Sequence, residues 1–220
     1  MKQVRKNNKG FTLIELLVVI AIIAVLAVVV ILTLNPAELL RQARDSNRIS
    51  DLGTLKSAIS LFEADVATSS LNAIGTYGTI YVNTGSCIGA GTSAVASGTC
   101  NYGSVAPINS QWGFAAGSYG NAAAAAVTST ATSSQRNVNG SGWIPVNFSA
   151  ISSGSPIGNE PVDPLNNNSN TYAYAASSTV FKIATKVESA KYSSGGGGDV
   201  ASTDGGTSSS TFESGTNLTL

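Results

Sequence analysis

The hydrophobic positions change their spacing twice along the chain. From Phe11 to Leu34 only Thr12, Glu15 and Thr33 are polar, and Leu16 to Leu32 is apolar without a break. A helix over this stretch, rising about 1.5 Å per residue, reaches roughly 36 Å, more than the roughly 30 Å of bilayer hydrocarbon. It is apolar on every side, which predicts a membrane span rather than an amphipathic surface helix. Val and Ile are weak helix formers, but in lipid the backbone must satisfy its own hydrogen bonds. A secretory signal has a shorter apolar region and a small-residue cleavage site. Here the run ends in Leu34-Asn35-Pro36.

Asn35-Pro36-Ala37-Glu38 reads as a helix restart. Asn suits an N-cap, Pro the first helical position, and Glu the positive helix terminus. Proline also interrupts the preceding hydrogen-bond ladder, so a kink is expected near Pro36. Leu52, Leu55, Ile59, Phe62 and Val66 then recur at spacings of three and four. That period predicts an amphipathic helix from Pro36 to about Val66, its apolar face packed against a sheet. The first half, with Arg41, Arg44, Asp45, Arg48 and Asp51, is too charged for lipid. A solvated or salt-bridged face is the preferred reading of its arginine row over binding of anionic lipid or DNA.

Beyond Ala67 short apolar pieces alternate with Gly, Ser, Thr and Asn. Strands are predicted over Thr79–Val82, Trp143–Phe148, Thr171–Ala176 and Thr179–Val187. In the last, Phe181, Ile183, Thr185 and Val187 fall on one face and Lys182, Ala184 and Lys186 on the other. Ser177-Ser178 places it in a hairpin with the strand before. The fold class expected is α+β: a long N-terminal helix packed on a small antiparallel β-sheet. The expected divisions are a leader over 1–10, a membrane or filament-core helix over 11–34, and its amphipathic continuation over 35–67. A β-rich globular domain over 68–192 and a Gly/Ser-rich loop and tail over 193–220 complete the chain.

Composition narrows the function. The 220 residues hold 12 basic and 12 acidic side chains, no histidine and two cysteines. Without histidine the usual general base and the commonest metal ligand are missing, and a Ser-His-Asp triad is unavailable. The Gly-rich stretches lack the strand–GxxxxGK–helix context of a phosphate loop. An enzyme is therefore not expected. Balanced charge argues against nucleic acid as a partner.

Lys2, Arg5, Lys6 and Lys9 precede Gly10-Phe11-Thr12-Leu13-Ile14-Glu15 and the apolar run. This basic leader, the Gly-Phe junction and the Glu five residues into a chain starting at Phe11 resemble the class III signal of type IV pilins and pseudopilins. Pro161-Val162-Asp163-Pro164-Leu165-Asn166, followed by Thr171-Tyr172-Ala173-Tyr174, extends the likeness to the body. The resemblance implies cleavage between Gly10 and Phe11 by a prepilin peptidase, N-methylation of Phe11, and pairing of Glu15 with the Phe11 amine of a neighbouring copy. The expected partners are other copies in a helical homopolymer, the peptidase, a pilus assembly platform with its ATPase, and membrane lipid. The expected locations are the bacterial inner membrane for the precursor and an extracellular pilus for the assembled form. Two alternatives remain: a pseudopilin of a type II secretion system, and a single-pass surface adhesin that does not polymerise.

Physical chemistry supports the assembly role. A carboxylate in lipid demands a partner. An opposite charge at about 4 Å contributes roughly 4 kcal/mol at an effective dielectric of 20, before desolvation. The uncut precursor lacks the amine. Removal of the leader's four cations also leaves the remainder with a side-chain sum of −4.

Cys87 and Cys100 are expected to form a disulfide outside the cytoplasm, worth about 3 kcal/mol in the chain-entropy model. No cofactor is expected. Asp199 and Asp204, in the Gly195–Gly206 loop, are weak calcium candidates against a plain flexible loop. Asp163, between two prolines, reads as a rigid turn with a side-chain cap or as a further calcium ligand.

Overall fold

A computed structural model describes residues 10–66, 74–75, 79–82, 98–100, 126–129, 136–167, 170–177 and 179–220. The chain divides into two compact units, one ending at Leu40 and the other running from Arg41 to Leu220.

In the first unit, helix α1 spans Leu13–Leu34. It starts at Thr12, whose extended backbone and hydroxyl form a capping box with Glu15. That arrangement satisfies two orphan donors reciprocally. From Leu13 to Ile31 the helix is long and apolar enough to cross a membrane. From Leu13 to Ile31 its large apolar side chains stand exposed, from 48% for Val18 to 82% for Leu13. Asn35 then adopts a left-handed conformation, φ 39°. Its carbonyl accepts the Glu38 amide at 3.0 Å and the Leu39 amide at 3.3 Å. The residue that ends α1 thus begins α2, Pro36–Asp65. Asparagine tolerates the left-handed region because its short polar side chain bonds locally.

In the second unit, α2 presents Leu52, Leu55, Ala58, Ile59 and Phe62 to the core, all buried. The strands are β1 Thr79–Val82, β2 Gly98–Cys100, β3 Ala126–Ser129, β4 Tyr172–Ser177, β5 Val180–Lys186 and β6 Thr211–Gly215. They form one sheet in the order β2-β3-β1-β4-β5-β6. Strands β1, β4, β5 and β6 pair antiparallel, and the β4–β5 hairpin closes on Ser177↔Val180. The α+β expectation therefore holds. The sheet is larger than expected, because β3 lies parallel to β1 and β2 antiparallel to β3.

The α2 face of the sheet carries Tyr81, Tyr172, Tyr174, Phe181 and Ile183, which form the main cluster with α2, Trp143 and Phe148. Trp143 lies 6.2 Å from Tyr172, and Phe62 meets Phe148 edge-on at 6.5 Å.

Two elements differ from the sequence expectation. Trp143–Phe148 is no strand: only Asn139↔Asn147 bridge, and a 3-10 turn occupies Phe148–Ala150. Adjacent Trp143 and Ile144 are both buried, so alternation fails. Pro145 offers no donor, and the Ile144 amide is given to the Glu160 carboxylate at 2.9 Å instead of to a neighbouring strand. The segment over 193–220 is more than a loop and tail, for it supplies β6. With β6 in place, Lys182 and Ala184, which alternation assigns to the outer face, are fully buried.

The Leu55 and Ile59 side chains are fully buried. Ile59→Ala is expected to destabilise the Arg41–Leu220 unit by about 2–5 kcal/mol, with Leu61→Ala, on the exposed face of the same helix, near neutral. Denaturant unfolding followed by tryptophan fluorescence of the detergent-solubilised chain checks both.

Candidate assembly motif and buried ionic site

The chemistry expected from the sequence lies at the start of α1. Gly10 is exposed, with open space where a Cβ would stand. Phe11 is 90% exposed. The Glu15 carboxylate accepts the Thr12 amide and the Thr12 hydroxyl through the same oxygen, each at 2.8 Å. The Glu15 amide in turn donates to the Thr12 hydroxyl at 3.3 Å. Glu15 thus sits in the first helical turn, where the unpaired amides and the dipole favour a negative charge. Its second oxygen, Oε1, takes no part in these bonds. One carboxylate is held beside residue 11 on an otherwise apolar rod.

A second constellation lies in the Arg41–Leu220 unit. Arg48 is fully buried and gathers three carboxylates. Its Nε donates to Asp163 Oδ2 at 2.6 Å and Nη2 to Asp163 Oδ1 at 3.1 Å, the bidentate fork of a strong pair. Its Nη1 donates to Asp45 Oδ1 at 2.7 Å and to Glu188 Oε2 at 2.8 Å. Arg44 Nε reaches the same Glu188 oxygen at 2.7 Å. Asp45 also receives the backbone amides of Glu188 and Ser189. Asp163 caps its own turn by accepting the Leu165 and Asn166 amides, so the rigid-turn reading of Pro161–Leu165 holds. Next to it Tyr172 donates to Asp51 at 2.7 Å.

Electrostatics follow from that packing. Burial by itself pulls the Arg48 guanidinium down, but its hydrogen bonds to Asp163, Glu188 and Asp45 outweigh it and hold the group firmly charged. Burial raises Glu188, yet Arg44 and Arg48 together bring it below the usual carboxylate range. Asp51 is raised, first by burial and then by the Asp163 charge, against the lowering bond from Tyr172. The arginine row is thus salt-bridged at Arg44 and Arg48, while Arg41 lies exposed.

Sequence reasoning missed this site, although a signal was present. Asp45 and Arg48 continue the apolar stripe backward from Leu52 at the same three- and four-residue spacing. A charge on a core stripe has to be buried with its partner. Two further buried ionisable groups were also missed. Glu160 is fully buried, takes the Ile144 amide on Oε2, and has no partner on Oε1. Burial pushes its carboxyl up to about 8, against the amides of Ile144 and Trp143 that pull it down. Lys182 pairs with Glu213 at 2.8 Å, both side chains excluded from water.

The remaining sequence candidates fall as follows. Cys87 lies outside the described residues, and Cys100 is placed only as a backbone position of β2. Asp199 accepts the Gly195 and Ser202 amides and the Ser202 hydroxyl. Asp204 accepts the Gly206 and Glu213 amides. Both aspartates are therefore occupied as loop caps. Among the described residues no group of three or more His, Cys, Asp or Glu side chains is arranged to hold a metal ion.

Comparison with known proteins agrees with the first constellation. Residues 5–31 match the family described as the prokaryotic N-terminal methylation motif, the class III signal of type IV pilins and pseudopilins. No curated protein and no solved structure matches the chain. The segment that carries Gly10, Phe11 and Glu15 is thus a pilin-type precursor motif, a mark of structural proteins that are generally not enzymes.

Two outcomes test the buried groups. Arg48→Met leaves Asp45 and Asp163 buried without their cation and is expected to cost about 3–5 kcal/mol, measured by denaturant unfolding. Glu160 is raised in the folded state, so its contribution is full below about pH 4.5 and lost as pH rises through about 8. Glu160→Gln should flatten the decline in melting temperature between those values.

Proposed function

We propose that this chain is the structural subunit of a type IV pilus, held in the bacterial inner membrane by α1 and polymerised through that helix into a surface filament. The observation that carries the reading is the positioned pair Phe11 and Glu15 at the head of an exposed apolar helix, inside the matched methylation motif. In lipid, apolar helices gain little from one another hydrophobically; packing and polar pairing have to drive association. Glu15 supplies the polar term. Cleavage after Gly10 by a prepilin peptidase frees an amine at Phe11, and methylation leaves it basic. In the precursor the carboxylate satisfies itself within the Thr12 capping box. In the polymer it takes the amine of a neighbouring copy, guided into place by an assembly platform and its ATPase. The leader is then 1–10, and the unit from Arg41 onward is the exported head.

A disulfide between Cys87 and Cys100 belongs to the same proposal, since the head would fold outside the cytoplasm. It stabilises by about 3 kcal/mol on the chain-entropy account.

Mass spectrometry of sheared surface fibres tests the reading. The expected chain starts at Phe11 and is one methyl group heavier than the unmodified sequence. Fibre-borne protein that still starts at Met1 overturns it. Glu15→Ala is expected to accumulate as membrane-held protein with a normally melting head and to yield no fibres. Loss of protein export on deletion, without surface fibres, assigns the chain to a type II secretion piston instead.

A further inference from the structure

The sheet ends at β6, and a terminal strand normally offers a row of unpaired backbone groups to any other chain. Here a donor of that strand is taken. The Glu213 amide donates to Asp204 Oδ2 at 2.6 Å, and Asp204 Oδ1 accepts the Gly206 amide at 2.8 Å. The exchange is reciprocal, because Glu213 Oε2 accepts the Thr207 amide at 2.6 Å and the Ser208 amide at 3.5 Å. Glu213 Oε1 is held by the buried Lys182, whose ammonium also donates to the carbonyls of Leu218 and Leu220. Residues 204–208 are thereby folded onto β6. The fit admits no side chain at Gly206, where a Cβ would fall 1.4 Å from Glu213 Oε2.

We propose that Asp204, through the 204–208 loop it closes, guards the edge of β6 against strand pairing with β6 of a second copy of this chain. The occupant is a second copy because an antiparallel partner of the same sequence offers the same donors in mirror order, and a two-fold contact closes on itself. Burial raises the Asp204 carboxyl, against the lowering bonds from the Gly206 and Glu213 amides. The inference stands on the sheet edge alone, so failure of the filament reading leaves it untouched.

The test uses the full chain in detergent, under conditions where the wild type sediments as one species. Asp204→Ala removes the guard, Gly206→Ala opens the loop by an independent route, and Asp204→Asn keeps one of the two acceptors, for the Glu213 amide, and loses the one that takes the Gly206 amide. Both alanine variants are expected to sediment as larger species whose share rises with concentration, while Asp204→Asn, which keeps half of the closure, associates less than either. Hydrogen exchange at the Glu213 amide of Asp204→Ala should be about tenfold faster at low concentration. It should slow again as the concentration is raised and a second edge takes the donor. Unchanged sedimentation of both alanine variants overturns the proposal. So does association accompanied by fast exchange throughout β4 and β5, because that reports unfolding rather than edge pairing.

Discussion

A guanidinium cut off from water has to be neutralised where it lies, and in this protein that requirement falls on Arg48. Its carboxylate partners come from three separate places in the sequence: Asp45 one turn back on α2, Asp163 in a turn fixed by two prolines, and Glu188 just beyond β5. The bond to Asp163 is bidentate and so fixes orientation as well as distance. Whether such a cluster adds net stability over well-packed apolar residues is decided by desolvation, which commonly consumes the Coulombic gain. What it does secure is uniqueness. Sliding α2 along the sheet by one turn would keep apolar contact but strand a charge. The hydrophobic stripe alone would not forbid that slide.

The N-terminal unit obeys the opposite logic. From Leu13 to Ile31 its large apolar side chains stand exposed. Such a surface is stable only in lipid or against other helices. The ionisable group of this stretch, Glu15, is answered locally by Thr12, which lowers the cost of leaving a carboxylate there. Two bonds from one neighbouring residue are a weak hold compared with an ammonium partner. The left-handed turn at Asn35 lets the backbone pass from this helix to the next without burying a broken ladder.

Much of this was legible in the sequence. The span, the restart at Pro36, the core face Leu52, Leu55, Ile59 and Phe62, and the β4–β5 hairpin follow from period and turn chemistry, which are local. The errors share one cause: a side chain satisfied far away along the chain. Trp143–Phe148 looks like a strand because nothing nearby shows that Glu160 will take the Ile144 amide. Lys182 looks solvent-facing because its partners, Glu213 and the carbonyls of Leu218 and Leu220, arrive from the end of the chain. Arg48 was visible as part of the core stripe, but the habit of placing arginine at the surface hid it. At the N-terminus the methylation motif over residues 5–31, which contains Gly10, Phe11 and Glu15, is legible because a linear motif needs no fold to be seen.

These long-range ionic contacts also explain how so small-sided a chain holds a sheet. The Arg41–Leu220 unit is rich in Gly, Ser, Thr, Asn and Ala, which bury little apolar area each. On the α2 side, large aromatics compensate: Trp143, Tyr172, Tyr174 and Phe181. Elsewhere the sheet has alanines where those aromatics would be, at Ala173, Ala175 and Ala184, all fully buried. A layer of alanines alone would be thin cohesion for β5 and β6. Lys182 and Glu213 supply a second kind, one long cation reaching a carboxylate and two carbonyls at once. Each polar bond there is modest in water-exposed terms and stronger where water is excluded. The two buried clusters, around Arg48 and around Lys182, therefore divide the work. The first sets α2 against the turn of Asp163, and the second fastens the last strand and the residues after it. Without the second, β6 would keep its backbone pairing with β5 and the packing of Phe212 against the core, but Glu213, on which the Asp204 loop closes, would lose its cation.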